Sequence, residues 1–419
     1  MTSGLSLESL KKAVAGEIVA YRSVMDMDPA GGPGDKIFPP TYAVGDREPS
    51  KYALETRRVD GQDRLCVVLD SVASQANRME QALRRGWERG EIQFPMILVD
   101  FSDEEKLEDL DRLTVLDVPH RIADALLRDS HLDGTAFRLT DAGKALTEAR
   151  VNHAAPLFRY CPTALVFGVW DSTGPLGGLG AKFTRCLVSE IVGIGAATGV
   201  KTASRIDPAQ VSSKVPLFAA SGKDERWTSL EDEAQKKGKK PVSFGEGKEK
   251  GKPSAVNHGN VAPTIETQAG GVTVDKITRT TVLSLSGLRQ LGFPKTTSGA
   301  RVERGDRARV ESAGHTALAA LGLAAMAYGA RADHFLRSRC HLVPKSEMTI
   351  EALSRTGEIA ETFTLTPAQA SLLLSEAAAD AKKAGLGWEE TEINLAPAKK
   401  LSHLIRLSRD VYAAESVVE

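Results

Sequence analysis

Cysteine is scarce and scattered in this 419-residue chain: Cys66, Cys161, Cys186 and Cys340 form no Cys-x-x-Cys pair, and three of them sit inside apolar runs. That spacing excludes a disulfide framework and a cysteine zinc site. It points instead to a reducing compartment, where a thiol packs as a small hydrophobe. A charge excess is missing too. Lys plus Arg number 54 against 55 for Asp plus Glu, so no global field attracts an anionic partner and only local charge can carry such a signal. Long apolar runs are also missing. The longest uncharged stretch, 312–330, is rich in Ala and Gly and contains His315, which reads as a tightly packed internal helix rather than a membrane span. The N-terminus lacks the basic region and apolar core of a signal peptide, so the expected location is cytoplasmic.

Catalytic signatures are equally thin. The eight histidines form no His-x-His, His-Asp or His-Glu-x-x-His pattern, and no Gly-x-Ser-x-Gly elbow occurs. No metal site and no cofactor are expected. One acid–base option stays open, an endoribonuclease that pairs His120 with Asp124, Asp171 or Asp207.

What the chain does have is concentrated at 162–208. An apolar run, Ala164 to Trp170, has the length and the Val/Phe/Trp content of a buried strand. A turn with Gly174, Gly177, Gly178 and Gly180 follows, and then an expected helix from Ala181 with Phe183, Leu187, Ile191 and Ile194 on one face. Lys182, Arg185 and Ser189 fall on the other side, which together describes an anion site at a strand end, with phosphate as the usual anion. It is not a Walker loop, because Ala181 separates Gly180 from Lys182; the dinucleotide glycine spacing is absent from this loop as well. Asp171-Ser172-Thr173 is one residue too long for an aspartic-protease turn. A tight turn with two ordinary surface cations is the plain alternative. A phosphate-metabolite enzyme using the glycine loop is another.

Taken in order, the chain opens with an amphipathic helix at 5–15 and a strand at 17–25. Lys36-Ile-Phe-Pro-Pro-Thr-Tyr42 is an extended loop whose Phe38 and Tyr42, beside Lys36, can stack bases or simply anchor the loop. A strand at 64–70 leads to Ser71, which caps a helix to about Arg89; Asn77, Arg78, Gln81, Arg84 and Arg85 line its polar side. A strand at 95–101 precedes an acidic stretch, 101–117, of net charge −5. Pro119 opens a helix to Asp129, with His120, Arg121, Asp124 and Arg128 pointing outward. Residues 219–271, rich in Lys, Gly, Ser and Pro, read as a flexible insertion; within it, 236–252 carries net charge +5. His334 to Val343 alternates as one strand with Arg337, Arg339 and His341 on a shared face. A strand at 358–365, a helix from Pro367, and a short strand and helix close the chain. Loose alternation with long inserts suits an α+β palm better than a doubly wound sheet.

Four blocks together carry more information than any one motif. They are Asp70-Ser-Val-Ala-Ser-Gln-Ala-Asn-Arg-Met-Glu80, Asp117-Val-Pro-His-Arg-Ile-Ala-Asp124, Phe167-Gly-Val-Trp-Asp-Ser-Thr-Gly174, and Lys182 through Ser189-Glu190 to Ser204-Arg-Ile-Asp-Pro208. In this order they resemble the backbone subunit of the type I-G (formerly I-U) CRISPR Cascade complex, within the RAMP superfamily. The 36–42 loop extends the likeness; the C-terminal third is similar only in layout.

The resemblance implies an α+β fold, an RRM-like (ferredoxin-like) palm with finger- and thumb-like insertions. The palm would span 1–218 and 272–345, with 219–271 as a basic insertion and 346–419 as a C-terminal extension on the palm. It implies a non-catalytic subunit that polymerises along CRISPR RNA and presents it to target DNA. Its partners would be further copies of itself, other Cascade subunits and a helicase-nuclease. Gln75, Asn77, Arg78, His120, Arg121, Trp170, Ser172, Thr173, Lys182, Arg185, Ser189 and Arg205 lie in matched blocks. The resemblance does not separate those that touch RNA from those that support the fold. Asn77, Arg78, Lys182, Arg185 and Arg205 suit phosphate or ribose contact, and Trp170 is expected in the core. Lys36, Phe38, Tyr42, Arg337 and Arg339 are further candidate contacts.

Overall fold

A computed structural model of the chain describes residues 4–45, 47–172, 174, 180–222 and 225–418. They divide into two compact units, the first made of Met1–Tyr42, Tyr52–Ala197 and Val272–Ser402, the second of Ala43–Lys51, Thr198–Gly271 and His403–Glu419.

The first unit is organised by a nine-stranded antiparallel sheet. Its strands are β1 (Ile18–Pro29), β2 (Leu54–Val59), β3 (Gln62–Asp70), β4 (Leu187–Ile194), β5 (Lys276–Ser284), β6 (Phe335–Arg337), β7 (Cys340–Pro344), β8 (Ile350–Ser354) and β9 (Ile359–Phe363). The order is β2-β3-β4-β5-β1-β7-β6, with β8 on the first half of β1 and β9 beyond it. Period-two patterning sets the faces. Tyr21, Ser23, Met25 and Met27 of β1 turn inward, as do Ile277, Arg279, Thr281 and Leu283 of β5. The opposite face stays open: Val24 is 47% and Val188 37% exposed.

Helices cover the inward face. α1 (Leu7–Ala15) and α2 (Val72–Glu88) are both capped by serine, and the Ser71 hydroxyl accepts from the Ser74 N–H at 3.3 Å. α3 (Arg307–Arg331) is buried from Ala313 to Gly329 without a polar stripe, as suits a helix surrounded by protein. It packs against α1, α2 and α4 (Pro367–Lys383). A second sheet of five short strands joins Arg112–Thr114, Ile97–Asp100, Ile393–Pro397, Ser130–Leu132 and Thr135–Ala136, in that order. The class is therefore mixed α+β around an antiparallel sheet. No helix of the described residues is long and apolar enough to cross a membrane.

Several local expectations are corrected. Ala164 to Trp170 is not one strand. Pro162–Phe167 is a fully buried helix with Pro162 in its first turn, and only Val169–Trp170 is extended. A continuous apolar run has no period that separates a strand from a buried helix. The helix expected from Ala181 is absent: Lys182–Phe183 and β4 are strands. Phe183, Leu187 and Ile191 are four apart, a spacing that fits a strand face as well as a helix face, and the β-branched Val188, Ile191, Val192 and Ile194 favour the strand. The helix after Pro119 breaks into a short 3-10 turn, Arg121–Ala123, and Ala125–Arg128, because Asp124 leaves the helix to cap the second piece. His334 to Val343 is a hairpin, not one strand. Arg339 turns it with φ 58°, and no Gly, Pro or Asn marks the turn in sequence.

The second unit carries a bulged two-stranded ribbon, Lys201–Arg205 against Val261–Glu266, and two short pairs, Phe218–Ala219 with Trp227–Thr228 and Lys236–Lys237 with Lys240–Pro241. Leu217, Phe218, Ala220 and Ala234 form its small core.

Candidate nucleic-acid interface

Where β3 ends and α2 begins, the chain concentrates polar groups under a sheet that is otherwise apolar. Asp70 is 1% exposed and accepts from the Ser74 hydroxyl (2.7 Å), Gln75 Nε2 (2.6 Å) and Arg78 Nε (2.8 Å), with Arg337 at 3.8 Å. The α2 cap makes this convergence: residues one turn apart, Ser74 and Arg78, face the last residue of β3. Gln75 Oε1 then accepts from the Ser189 hydroxyl at 3.0 Å; Ser189 lies 2.8 Å from Thr281 Oγ1 and accepts from Arg279 Nε at 3.2 Å. Arg279 is 3% exposed, and burial pushes its guanidinium down to about 10 against the pull of Asp70. His334 is buried beside this group, and burial, with Arg279 and Arg78 near it, pushes its imidazole down to about 4.

Two guanidiniums thus meet on one carboxylate, and a third, Arg279, is linked to it through Ser189 and Gln75. Two reach the surface: the side chains of Arg78 and Arg337 are 32% and 28% exposed. Both are braced by backbone carbonyls, Arg78 on Leu336 at 3.0 Å and Arg337 on Leu69 at 3.1 Å. Carbonyls fix a guanidinium without cancelling its charge, so this corner keeps a positive surplus.

The hairpin Val169–Trp170 and Lys182–Phe183 holds the second group. Gly168, at φ 82°, ends the preceding helix in a conformation closed to most side chains, and a Cβ there would lie 3.0 Å from the Phe183 carbonyl. Its own carbonyl accepts from Arg121 Nη1 at 3.0 Å. Arg121 is buried and forks onto Glu80 at 2.6 and 2.8 Å. Burial pushes the Glu80 carboxyl up, and Arg121 opposes that shift. Arg138 makes a second fork, 2.6 and 2.8 Å to Asp171, at the start of the glycine-rich loop. Outside these braces, Trp170 is 55% exposed with Lys182 Nζ 5.4 Å from its ring centroid. Arg185 is exposed and donates to the Val72 carbonyl at 3.2 Å. An open indole face, a lysine and an arginine thus share the foot of this hairpin.

A third group lies on the β6/β7 hairpin. Arg339 stacks on Phe38 at 4.3 Å, Lys36 sits 5.8 Å from the same ring, and the Phe38 N–H donates to the Arg339 carbonyl. Phe335, 57% exposed, meets His341 edge-on. Tyr42 is exposed at the end of the 36–42 loop, where Thr41 bridges Tyr52.

The sequence-predicted residues therefore part company. Asn77, Arg78, Lys182, Arg185 and Ser172 are at the surface or half-exposed. Ser189 is not on a cationic face; it is buried in β4 because strand parity turns it inward with Leu187 and Ile191. Gln75 and Arg121 are buried braces. Trp170 is not core: Val169 takes the inward position of the hairpin and Trp170 the outward one. His120 is exposed, and its bond to Asp124 uses the backbone N–H at 3.2 Å, not the imidazole. Arg337 and Arg339 do not share a strand face, since the turn lies between their roles. Arg205 belongs to the second unit, where it donates to the His258 and Gly259 carbonyls. Thr173, Gly177 and Gly178 lie outside the described residues. The expected helix N-terminus behind the glycine loop does not exist. The bracing roles of Asp70, Glu80 and Arg279 escaped the sequence reading, and Asp171, read there as a possible partner of His120, instead holds Arg138; a cation at the inward parity of a strand, as at Arg279 between Ile277 and Thr281, is the signal that could have marked one of them.

No curated protein matches the chain in sequence. Residues 11–198 match the family model described as CRISPR-associated protein GSU0053. That span contains the α2 cap, Arg121 and the Trp170–Lys182 hairpin. The match covers less than half of the chain and makes residues 11–198 similar to that CRISPR-associated family.

Proposed function

We propose that this protein is a non-catalytic, CRISPR-RNA-binding backbone subunit of a type I-G Cascade complex, which polymerises along the guide RNA and presents it to complementary target DNA. One observation carries the reading: inside the span of the CRISPR-associated family and on the hairpin beside it, Arg78, Lys182, Arg185 and Arg337 are held by carbonyls, an indole face and one shared carboxylate, so their charge is left for a phosphate chain. The antiparallel sheet with helices on one face is in keeping with an RRM-like palm, and the exposed ribbon of the second unit with a finger or thumb. The open sheet face is not the nucleic-acid platform. Over its central strands the charges are paired, Arg22 with Glu351 at 2.7 Å and Arg57 with Glu190 at 2.9 Å, and the exposed apolar residues there, Val24 and Val188, are aliphatic. RNA lies instead along the strand-end corner and the hairpin, its phosphates on the arginines and a base on Trp170.

Co-expression with a CRISPR array, followed by nucleic-acid extraction and sizing of the purified particle, tests this. RNA of uniform length in a particle of many copies is expected. A nucleic-acid-free monomer, with the partner subunits co-expressed, would overturn it. Turnover of RNA without partners would favour an endoribonuclease instead.

A further inference from the structure

The polar side of α2 does not stop at the corner just described. Arg85 and Arg89 follow Arg78 at seven and eleven residues, so the three form one stripe, and Arg85 stands about 10 Å further along the axis. At its far end the stripe enters a cleft of ≈ 620 Å³ whose lining has more cations than acids. Arg85 and Arg89 meet Arg331, from the last turn of α3, in that cleft. Their counter-charges are Glu91 and Asp333. Arg89 reaches Glu91 only at 4.0 Å, and the side chains of Arg85 and Arg331 make no hydrogen bond or ion pair among the described residues.

The cleft wall completes the chemistry. α4 begins there with Thr366 as its cap. Pro367 has no N–H, and Gln369 and Ala370 give theirs to Thr366, so the N–H of Ala368, which lines the cleft, is left without an acceptor inside the helix. The N-terminal end of this 17-residue helix adds its partial positive charge. The floor is rigid. Tyr328 packs closely on α2 where Gly86 has no side chain, since a Cβ there would sit 2.4 Å from its ring, and its hydroxyl is 3.0 Å from Ser371 Oγ.

We infer that this cleft between α2, α3 and α4 is a second phosphate-binding site, with Arg85 and Arg331 as its principal ligands and the Ala368 N–H as a fixed donor. Its phosphate comes from a nucleic-acid strand continuing along the α2 stripe or from a free phosphate. The first source rests on the proposed function and the second does not.

Binding of an unstructured oligoribonucleotide as a function of salt, beside an inorganic-phosphate titration read by NMR, tests it on Arg85→Ala/Arg331→Ala. Removing one cation that neutralises a phosphate of a single strand takes about 0.7 off the slope of log K against log salt, so a drop of about 1.4 is expected. Arg85→Lys/Arg331→Lys should keep the slope. Phosphate shifts at Ala368 that vanish in the double alanine variant, with an unchanged RNA slope, would assign the site to free phosphate. If the variant changes neither readout, the inference is overturned, while loss of RNA binding in Lys182→Ala/Arg185→Ala would leave the proposed function standing. If the wild type binds no RNA, the proposed function fails and the phosphate titration alone decides the cleft.

Discussion

The open face of the main sheet and the corner where β3 runs into α2 are built from the same residue types and use them in opposite ways. On the open face each arginine has its own carboxylate, Arg22 with Glu351 and Arg57 with Glu190. Such exposed pairs contribute about 0–1 kcal/mol each and leave no surplus. At the corner, Arg78 and Arg337 share Asp70, Arg279 lies behind them on Ser189, and backbone carbonyls complete their geometry. The first arrangement makes a solvated surface. The second holds charge in place without cancelling it, which is what a phosphate-binding surface requires. Charge counted along the chain hides this difference, because the net balance is −1.

The sharpest way to break the corner is from beneath. Glu80→Ala strands Arg121 without its carboxylate in the core. Removing one partner of a buried pair costs about 3–5 kcal/mol, so urea unfolding should show the largest loss of any single change considered. An equal loss from Glu351→Ala on the open face would abolish the distinction. Next is Trp170→Ala. Base stacking on an aromatic side chain contributes about 1–3 kcal/mol, so RNA affinity should fall roughly 5- to 150-fold, with the salt slope unchanged. Val188→Ala on the open face should leave affinity alone.

A pH effect follows from His334. Its imidazole is held near 4 in the fold against an ordinary 6.5, so between these values the unfolded chain binds the extra proton. Stability is therefore full above about 6.5 and falls as pH drops towards 4. From pH 7 to 5 the loss due to this residue is at most about 2 kcal/mol, and His334→Gln should flatten that part of the urea-midpoint profile. A profile identical to the wild type would remove His334 from the buried cationic group.

How much of this was legible in sequence depends on what each feature needs. Helices with a cap and a strict stripe, such as Ser71 followed by Val72–Glu88, could be read directly. The alternating strand β1 was legible for the same reason. The run 164–170 and the segment 181–194 were not, because apolar runs and four-residue spacings fit two periods at once. The cationic residues of the site were visible as types: Arg78, Lys182, Arg185 and Arg337 sit at the surface or half-exposed. What pairs with them was not, since Asp70 meets Arg337 and Glu80 meets Arg121 only through tertiary contact. The exposure of Trp170 was hidden for a similar reason, because a two-residue strand gives no alternation to read.

On the proposed function, retained charge and not total charge decides where RNA lies. The most direct test compares the salt dependence of RNA binding for the wild type, for Lys182→Ala/Arg185→Ala and for Arg22→Ala/Arg57→Ala. The expected slope is lower by about 1.4 for the hairpin pair and unchanged for the sheet-face pair. Equal slopes for the two double variants, or a larger change from the sheet face, would contradict it.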